Sequence, residues 1–149
     1  MTDEQDFSGA KLALFGRGCV LTLLRDDKPD IPFPNMWDLP GGGRDPGETP
    51  EQTVLRELEE ELALKLAADA LLWKRAYRAD HDQDRTIWFF SGVLSRAAEP
   101  LIRLGDEGQK WAIMPIPVFL NRDDAVPHLR RQVSDAIAEW PGPVDALRA

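Results

Sequence analysis

Glu57, Glu60 and Glu61 stand at i, i+3 and i+4 in a run that opens at Pro50, so on a helix their carboxylates crowd one side. Like charges at that spacing repel by roughly a few tenths of a kcal/mol on an isolated helix. A divalent cation would offset the repulsion with the oxygen ligands that hard metals prefer. The same three residues could form a solvated acidic face, and the residues before the helix decide between the two readings. Gly42-x4-Gly47-Glu48-Thr49 has the spacing of a phosphate-cradling loop, but Glu48 stands where a lysine is required, so a nucleotide cradle of that kind is excluded. Asp80, Asp82 and Asp84 alternate around His81 like the start of a calcium loop. Arg85 and Ser91 occupy the glycine and bidentate-glutamate positions, so a polar hairpin loop near the site mouth is expected instead. His81 and His128 have no serine or cysteine partner at a catalytic spacing and are expected at the surface or in loops. Cys19 lies in an apolar run and reads as core rather than nucleophile.

Several elements must position these groups. Thr49 is the expected N-cap, Pro50 the first helical residue, and Gln52 completes a Thr-x-x-Gln capping box. Val54, Leu55, Leu58 and Leu62 share one side of the helix and should face the core. Upstream, Lys11–Phe15 and Cys19–Leu24 predict two short strands around Gly16-Arg17-Gly18. Asp26–Pro34 predicts a polar, proline-bearing loop, before a short Met36–Leu39 segment and Gly41-Gly42-Gly43. Downstream, Trp73–Arg78 and Thr86–Ser95 predict strands joined by a loop over Ala79–Arg85. Trp111–Leu120 contains Pro115 and Pro117, which confine it to an edge strand or a strand followed by a turn. Val126, Leu129, Val133 and Ile137 predict a helix within Asp123–Trp140, stopped by Pro141-Gly142-Pro143. Mixed strands with two helices predict an α/β fold.

The chain has 149 residues, 18 basic against 26 acidic side chains and a net charge of −8. That length suits one domain over residues 1–149. With 43% hydrophobic and 30% charged residues, the composition is that of a globular chain. The acidic balance argues against binding to a nucleic-acid backbone, which needs a basic stripe. One cysteine excludes an internally disulfide-stapled scaffold and a cysteine-rich zinc module. No apolar stretch approaches the ~20 residues of a membrane span, and the acidic Met1–Asp6 is unlike a signal peptide. A cytoplasmic location without a membrane partner is expected.

Gly42, Glu48 and the run Arg56-Glu57-Leu58-Glu59-Glu60-Glu61 have the spacing of a known signature. The stretch Gly42–Leu64 resembles the box of the Nudix hydrolases, Gly-x5-Glu-x7-Arg-Glu-U-x-Glu-Glu-x-Gly-U, where U is bulky and aliphatic. Leu58 and Leu64 fit the two U positions, and Trp37-Asp38-Leu39-Pro40-Gly41-Gly42 is similar to the segment that leads into that box. Ala63 stands where the family has glycine. Either the helix runs on into Leu64-Lys65-Leu66 or a strained turn is tolerated there, at roughly 1 kcal/mol for alanine in a left-handed cap.

The resemblance implies an α/β/α sandwich around a mixed β-sheet. It also implies a Mg²⁺- or Mn²⁺-dependent pyrophosphohydrolase that cleaves a nucleoside diphosphate linked to another moiety by water attack on phosphorus. By the same resemblance Glu57, Glu60 and Glu61 are metal ligands, with backbone groups of Gly41 and Gly42 beside them. Glu57 or Glu61 helps to deprotonate water, and Arg56 pairs with Glu48 to orient the box. A further acidic residue from a loop outside the box, as ligand or base, is expected at Glu107, with Asp106 and Glu99 as alternatives. Arg75, Arg78 and Tyr77 are substrate-binding candidates. Trp73, Trp88, Phe89 and Phe90 could stack a base, although strand alternation places most of these aromatics in the core. The substrate stays open among nucleoside triphosphates, oxidised nucleotides, nucleotide sugars and dinucleotides; the proline downstream of the box typical of ADP-ribose hydrolases does not stand out. A non-catalytic nucleotide-binding module and a hydrolase of RNA ends are the rival readings, and a homodimer is compatible with either.

Overall fold

Strand β1, Gly9–Gly16, sends Ala10, Leu12 and Leu14 to one face and Ala13 and Phe15 to the other, all of them buried. A strand apolar on both faces belongs at the centre of a covered sheet. The computed structural model describes residues 6–79 and 82–149 and places β1 in that position. β1 pairs in parallel with β6 (Asp82–Val93) and antiparallel with β2 (Cys19–Leu24) and β4 (Gly41–Gly43). β2 also pairs with β3 (Trp37–Asp38) and β7 (Lys110–Pro115), while β5 (Leu71–Ala79) lies against β6.

Helix α1, Pro50–Leu62, covers one face of this mixed sheet, burying Val54, Leu58 and Leu62 against Leu12, Leu14 and Phe90. Helices α2 (Ile116–Asn121) and α3 (Pro127–Ala138) cover the other, where Phe119, Leu129 and Val133 meet Ala13, Phe15 and Phe89. The result is the expected α/β/α sandwich. Trp88, Phe89 and Phe90 are buried in it, and Trp73 and Tyr77 pack edge-on to Phe89 at 6.2 and 6.3 Å between ring centroids. Among the described residues no helix is long and apolar enough to cross a membrane.

Four local expectations are corrected. The loop expected over Ala79–Arg85 is largely strand, because β5 runs to Ala79 and β6 begins at Asp82; Asp80 and His81 lie outside the described residues. The second half of Trp111–Leu120 is helix α2 rather than strand or turn, with Pro117 in its first turn, where a fixed φ and a missing N–H cost nothing. Helix α3 takes up Pro127–Ala138 of the stretch in which a helix is expected. The Trp37 N–H donates to the Asp124 carbonyl at 2.7 Å, and the Val126 N–H donates back to Trp37 at 3.0 Å. Those bonds bridge Ala125 to Trp37 after a turn at Asp123 and Asp124. His128 is half-buried, its ring 5.5 Å from that of Phe33, and Cys19 is only half-buried at the start of β2.

α1 begins as its sequence requires. The Gln52 N–H donates to the Thr49 hydroxyl at 3.2 Å, and the Thr49 N–H donates to the Gln52 side chain at 2.9 Å. It ends at Ala63, which adopts φ 61° and ψ 22° and donates its N–H to the Glu59 carbonyl. The helix therefore does not run on, and alanine carries the strain of a left-handed cap. Ala63→Gly should stabilise the chain by roughly 0.5–1 kcal/mol, since relief of that strain exceeds the extra unfolded-state freedom of glycine. Thermal unfolding should show a rise of about 1–4 °C; no change or a fall would mean that neighbouring contacts already absorb the strain.

Candidate active site

The glutamates of α1 inherit their placement from the helix start. Glu48, just before the cap, accepts from the Asp45 N–H at 2.8 Å and from the Thr53 hydroxyl at 3.0 Å. The Arg56 guanidinium closes over it, with Nε to Glu48 Oε2 at 2.8 Å and Nη2 to Oε1 at 3.1 Å. The same Nη2 donates to the Gly43 carbonyl at 2.8 Å, tying helix to strand β4. This fork–fork pair holds the Glu48 carboxyl down to about 2 and pushes Arg56 further up. Nη1 reaches Glu57 at 3.0 Å and Glu60 at 3.1 Å, and Nε stands 3.2 Å from Asp45, so Arg56 spans four carboxylates rather than forming a lone surface i, i+4 pair.

Glu57 and Glu61 face the Gly41–Gly42 backbone. A Cβ on Gly42 would stand 2.7 Å from the Glu57 carboxyl carbon, so only glycine lets that carboxylate come so close. The Gly41 N–H donates to Glu61 Oε1 at 2.8 Å. Burial pushes the Glu61 carboxyl up to about 7, against partial compensation from Lys11 and the Gly41 N–H. Burial raises Glu57 as well, with Arg56 opposing.

Three residues at the site were missed by sequence reasoning as functional groups. The Lys11 ammonium donates to Asp38 Oδ2 at 2.9 Å, to the Leu39 carbonyl at 3.2 Å and to the Gly41 carbonyl at 3.4 Å. Arg25 Nη1 also donates to Asp38 Oδ2, at 2.9 Å. Burial opposes ionisation of Asp38, but the two cations outweigh it and hold its carboxyl below the usual range. A lone lysine between the buried Ala10 and Leu12 was the available signal for Lys11.

Outside the box, Asp106 and Glu107 stand across a recess of about 330 Å³ from Glu57, Glu60 and Glu61. Their loop is fixed to the end of α1, where the Gly105 N–H donates to the Glu61 carbonyl at 2.9 Å. Glu99 is elsewhere, paired with Arg17. A second recess, of about 140 Å³, shares Glu61 and Glu107 and adds Arg25, Lys28 and Asp38. A third, of about 190 Å³, shares Arg25 and Asp38 and continues between Phe33, Ile87, Leu129 and Gln132. Of the three substrate-binding candidates only Arg78 lines this recess. Tyr77 donates its hydroxyl to Asp135 at 2.7 Å, and Arg75 pairs with Asp135 at 3.5 Å and Glu139 at 3.4 Å. Both are thus engaged by α3.

The residues fit a hard divalent cation by the chemistry of their donors. Five carboxylates line one recess with no basic residue among its walls, and the Gly41 backbone adjoins it through the N–H that donates to Glu61. Glu57 and Glu60 each commit one oxygen to Arg56. Among the described residues no three of these groups already converge as a closed ligand set.

A family model described as the NUDIX domain matches residues 10–136. The chain is 34% identical over 120 residues to a putative 8-oxo-dGTP diphosphatase of Bacillus subtilis (strain 168), covering 78% of this chain and 69% of that protein. Against the 8-oxo-dGTP diphosphatase of Escherichia coli (strain K12) it is 39% identical over 98 residues, covering 66% of this chain and 71% of that protein. The fold is similar to that of a bifunctional NMN adenylyltransferase/ADP ribose pyrophosphatase from Francisella tularensis, crystallised with AMP and a manganese ion. The TM-score is 0.74 at 17% identity, over 93% of this chain but only 43% of that longer one.

The raised carboxyl of Glu61 has a consequence for stability. Its folded value of about 7 lies above the ordinary 4.5, so the folded chain holds a proton that the unfolded chain releases. Stability should therefore decline as pH rises from about 4.5 through about 7. Glu48, held at about 2, contributes stability that is lost only on acidification below pH 4.5, and adds no slope in this window. Glu61→Gln should flatten most of the decline and raise the metal-free melting temperature at pH 8. Melts across pH 4.5–8 with a chelator would test this; an unchanged slope would assign the decline to other groups.

Proposed function

The chain belongs to the Nudix family of hydrolases, and from that premise we propose that it is a Mg²⁺-dependent pyrophosphohydrolase acting, as one domain, on nucleoside triphosphates. Its products are the nucleoside monophosphate and pyrophosphate, and an oxidised purine nucleotide such as 8-oxo-dGTP is the preferred substrate. The names of the two relatives support that choice. The observation that carries the reading is the continuity of the three recesses: an apolar one for a base, a neck with Arg25 and Lys28 for phosphates, and a carboxylate-lined one for a cation.

In this reading Glu57, Glu60 and Glu61, with the Gly41 backbone beside them, would hold the ion, while Glu48 fixes Arg56 and Arg56 orients Glu57 and Glu60. A bound divalent ion neutralises phosphate charge and lowers the pKa of water beside it. Glu107, on the loop facing the helix, accepts the proton of the attacking water. Arg25 and Lys28 counter the charge of the departing pyrophosphate. In the apolar recess Gln132 is only 8% exposed, and no hydrogen bond engages its carboxamide among the described residues. A carboxamide on the wall of the recess has two donor hydrogens and an acceptor oxygen to offer a bound base. Oxidation at C8 of guanine turns N7 into a donor beside the O6 acceptor, an edge that a carboxamide matches; guanine itself presents two acceptors there.

A Mg²⁺-dependent screen over nucleoside triphosphates, 8-oxo-dGTP, ADP-ribose, dinucleotides and nucleotide sugars should give its strongest signal on 8-oxo-dGTP. Glu57→Gln should lower turnover by about two orders of magnitude or more with the fold intact; near-normal turnover would remove Glu57 from the site. Gln132→Leu should reduce discrimination between 8-oxo-dGTP and dGTP by about tenfold. A strong signal on a different substrate class, or discrimination unchanged in that variant, would replace the base assignment.

A further inference from the structure

Two loops of different chemistry meet at Gln109. One, Asp26–Asn35, lends Asp26, Lys28 and Ile31 to the neck and Pro32 and Phe33 to the apolar recess. It is closed at its base by the Asn35 N–H donating to the Asp26 carbonyl at 3.0 Å. The other carries Asp106 and Glu107 beside the glutamates of α1. Gln109 uses both hydrogens of its carboxamide to join them: Nε2 donates to the Arg25 carbonyl at 2.8 Å and to Asn35 Oδ1 at 2.8 Å. Its own N–H donates to the Leu24 carbonyl at 2.9 Å. Between Glu107 and Gln109 stands Gly108 alone, at φ +92°, where a Cβ would meet Leu23 Cδ1 at 2.9 Å. The connection is therefore short and has no slack. Upstream, Gly105 is bonded to the end of α1, so Glu107 hangs between one anchor on the helix and one on the loop over the apolar recess.

We propose that Gln109 is a positioning residue that couples closure of the Asp26–Asn35 loop over a bound nucleoside to the placement of Glu107. Recognition of the base is thereby expressed in turnover as well as in binding. The inference rests on the pyrophosphohydrolase reading for its kinetic arm, and a mere brace at the start of β7 would not act through Glu107.

The test uses the full chain as wild type, Gln109→Leu, Glu107→Gln and the double variant. On 8-oxo-dGTP, Gln109→Leu should lower kcat about tenfold and leave KM within about twofold. That loss should vanish in the Glu107→Gln background, because coupled residues are non-additive. Equal losses in both backgrounds, an effect confined to KM, or no effect would overturn the coupling. A second arm needs no activity. In the nucleotide-free chain, Gln109→Leu should speed backbone hydrogen exchange in residues 26–35 and 104–109 together, with the melting temperature within about 2 °C of wild type. Faster exchange in only one of the two segments would overturn the inference. Absence of hydrolysis by the wild type on every nucleotide would defeat the functional reading, and the exchange result would still decide the coupling.

Discussion

The site depends on how closely α1 approaches the backbone of Gly41 and Gly42. These residues pair with Lys11 and Ala10 of β1 on one side, and on the other they meet Glu61 through the Gly41 N–H and Glu57 through the space a Cβ would fill. The helix can lie so near because its opposite side, Val54, Leu58 and Leu62, is fully buried against the sheet. Apolar burial thus forces partly buried carboxylates against a strand. Their raised carboxyl groups are the electrostatic cost of that packing.

Two groups of cations limit that cost without cancelling it. Arg56, shared among Glu48, Glu57 and Glu60, stands on the helix side, while Lys11 and Arg25 stand on the strand side with Asp38 between them. A buried carboxylate that lost either of its cations would be left undercompensated, which is why such clusters resist substitution of single members. Neither group lines the recess enclosed by Glu57, Glu60, Glu61, Asp106 and Glu107. Negative charge therefore faces outward there, where a cation can reach it, and positive charge lies along the neck, where phosphates can.

The end of α1 does as much positioning as its start. After the left-handed turn at Ala63, the last carbonyls of the helix accept from Arg103 and Gly105, and so the loop bearing Asp106 and Glu107 is hung from the same helix that bears the other three glutamates. Both sets of carboxylates share one rigid support, although more than forty positions separate Glu61 from Glu107 in the chain.

Local signals in the chain were enough for α1 and for the grouping of its glutamates. The capping box at Thr49, the apolar side of the helix and the spacing of Gly42, Glu48, Arg56 and the glutamates are all short-range, and each could be read from neighbouring residues. The same holds for β1, β2 and the stop at Pro141. Long-range pairing set the rest. Trp37 bridges Ala125 just ahead of α3, and β5 and β6 prolong each other beyond their apolar residues because a ladder satisfies polar residues too. The choice of Glu107 over Glu99, the engagement of Arg75 and Tyr77 by α3, and the Lys11–Asp38–Arg25 cluster follow from contacts between residues far apart in the chain. Composition and periodicity carry no record of such contacts, because they come into being only when the sheet brings its strands together.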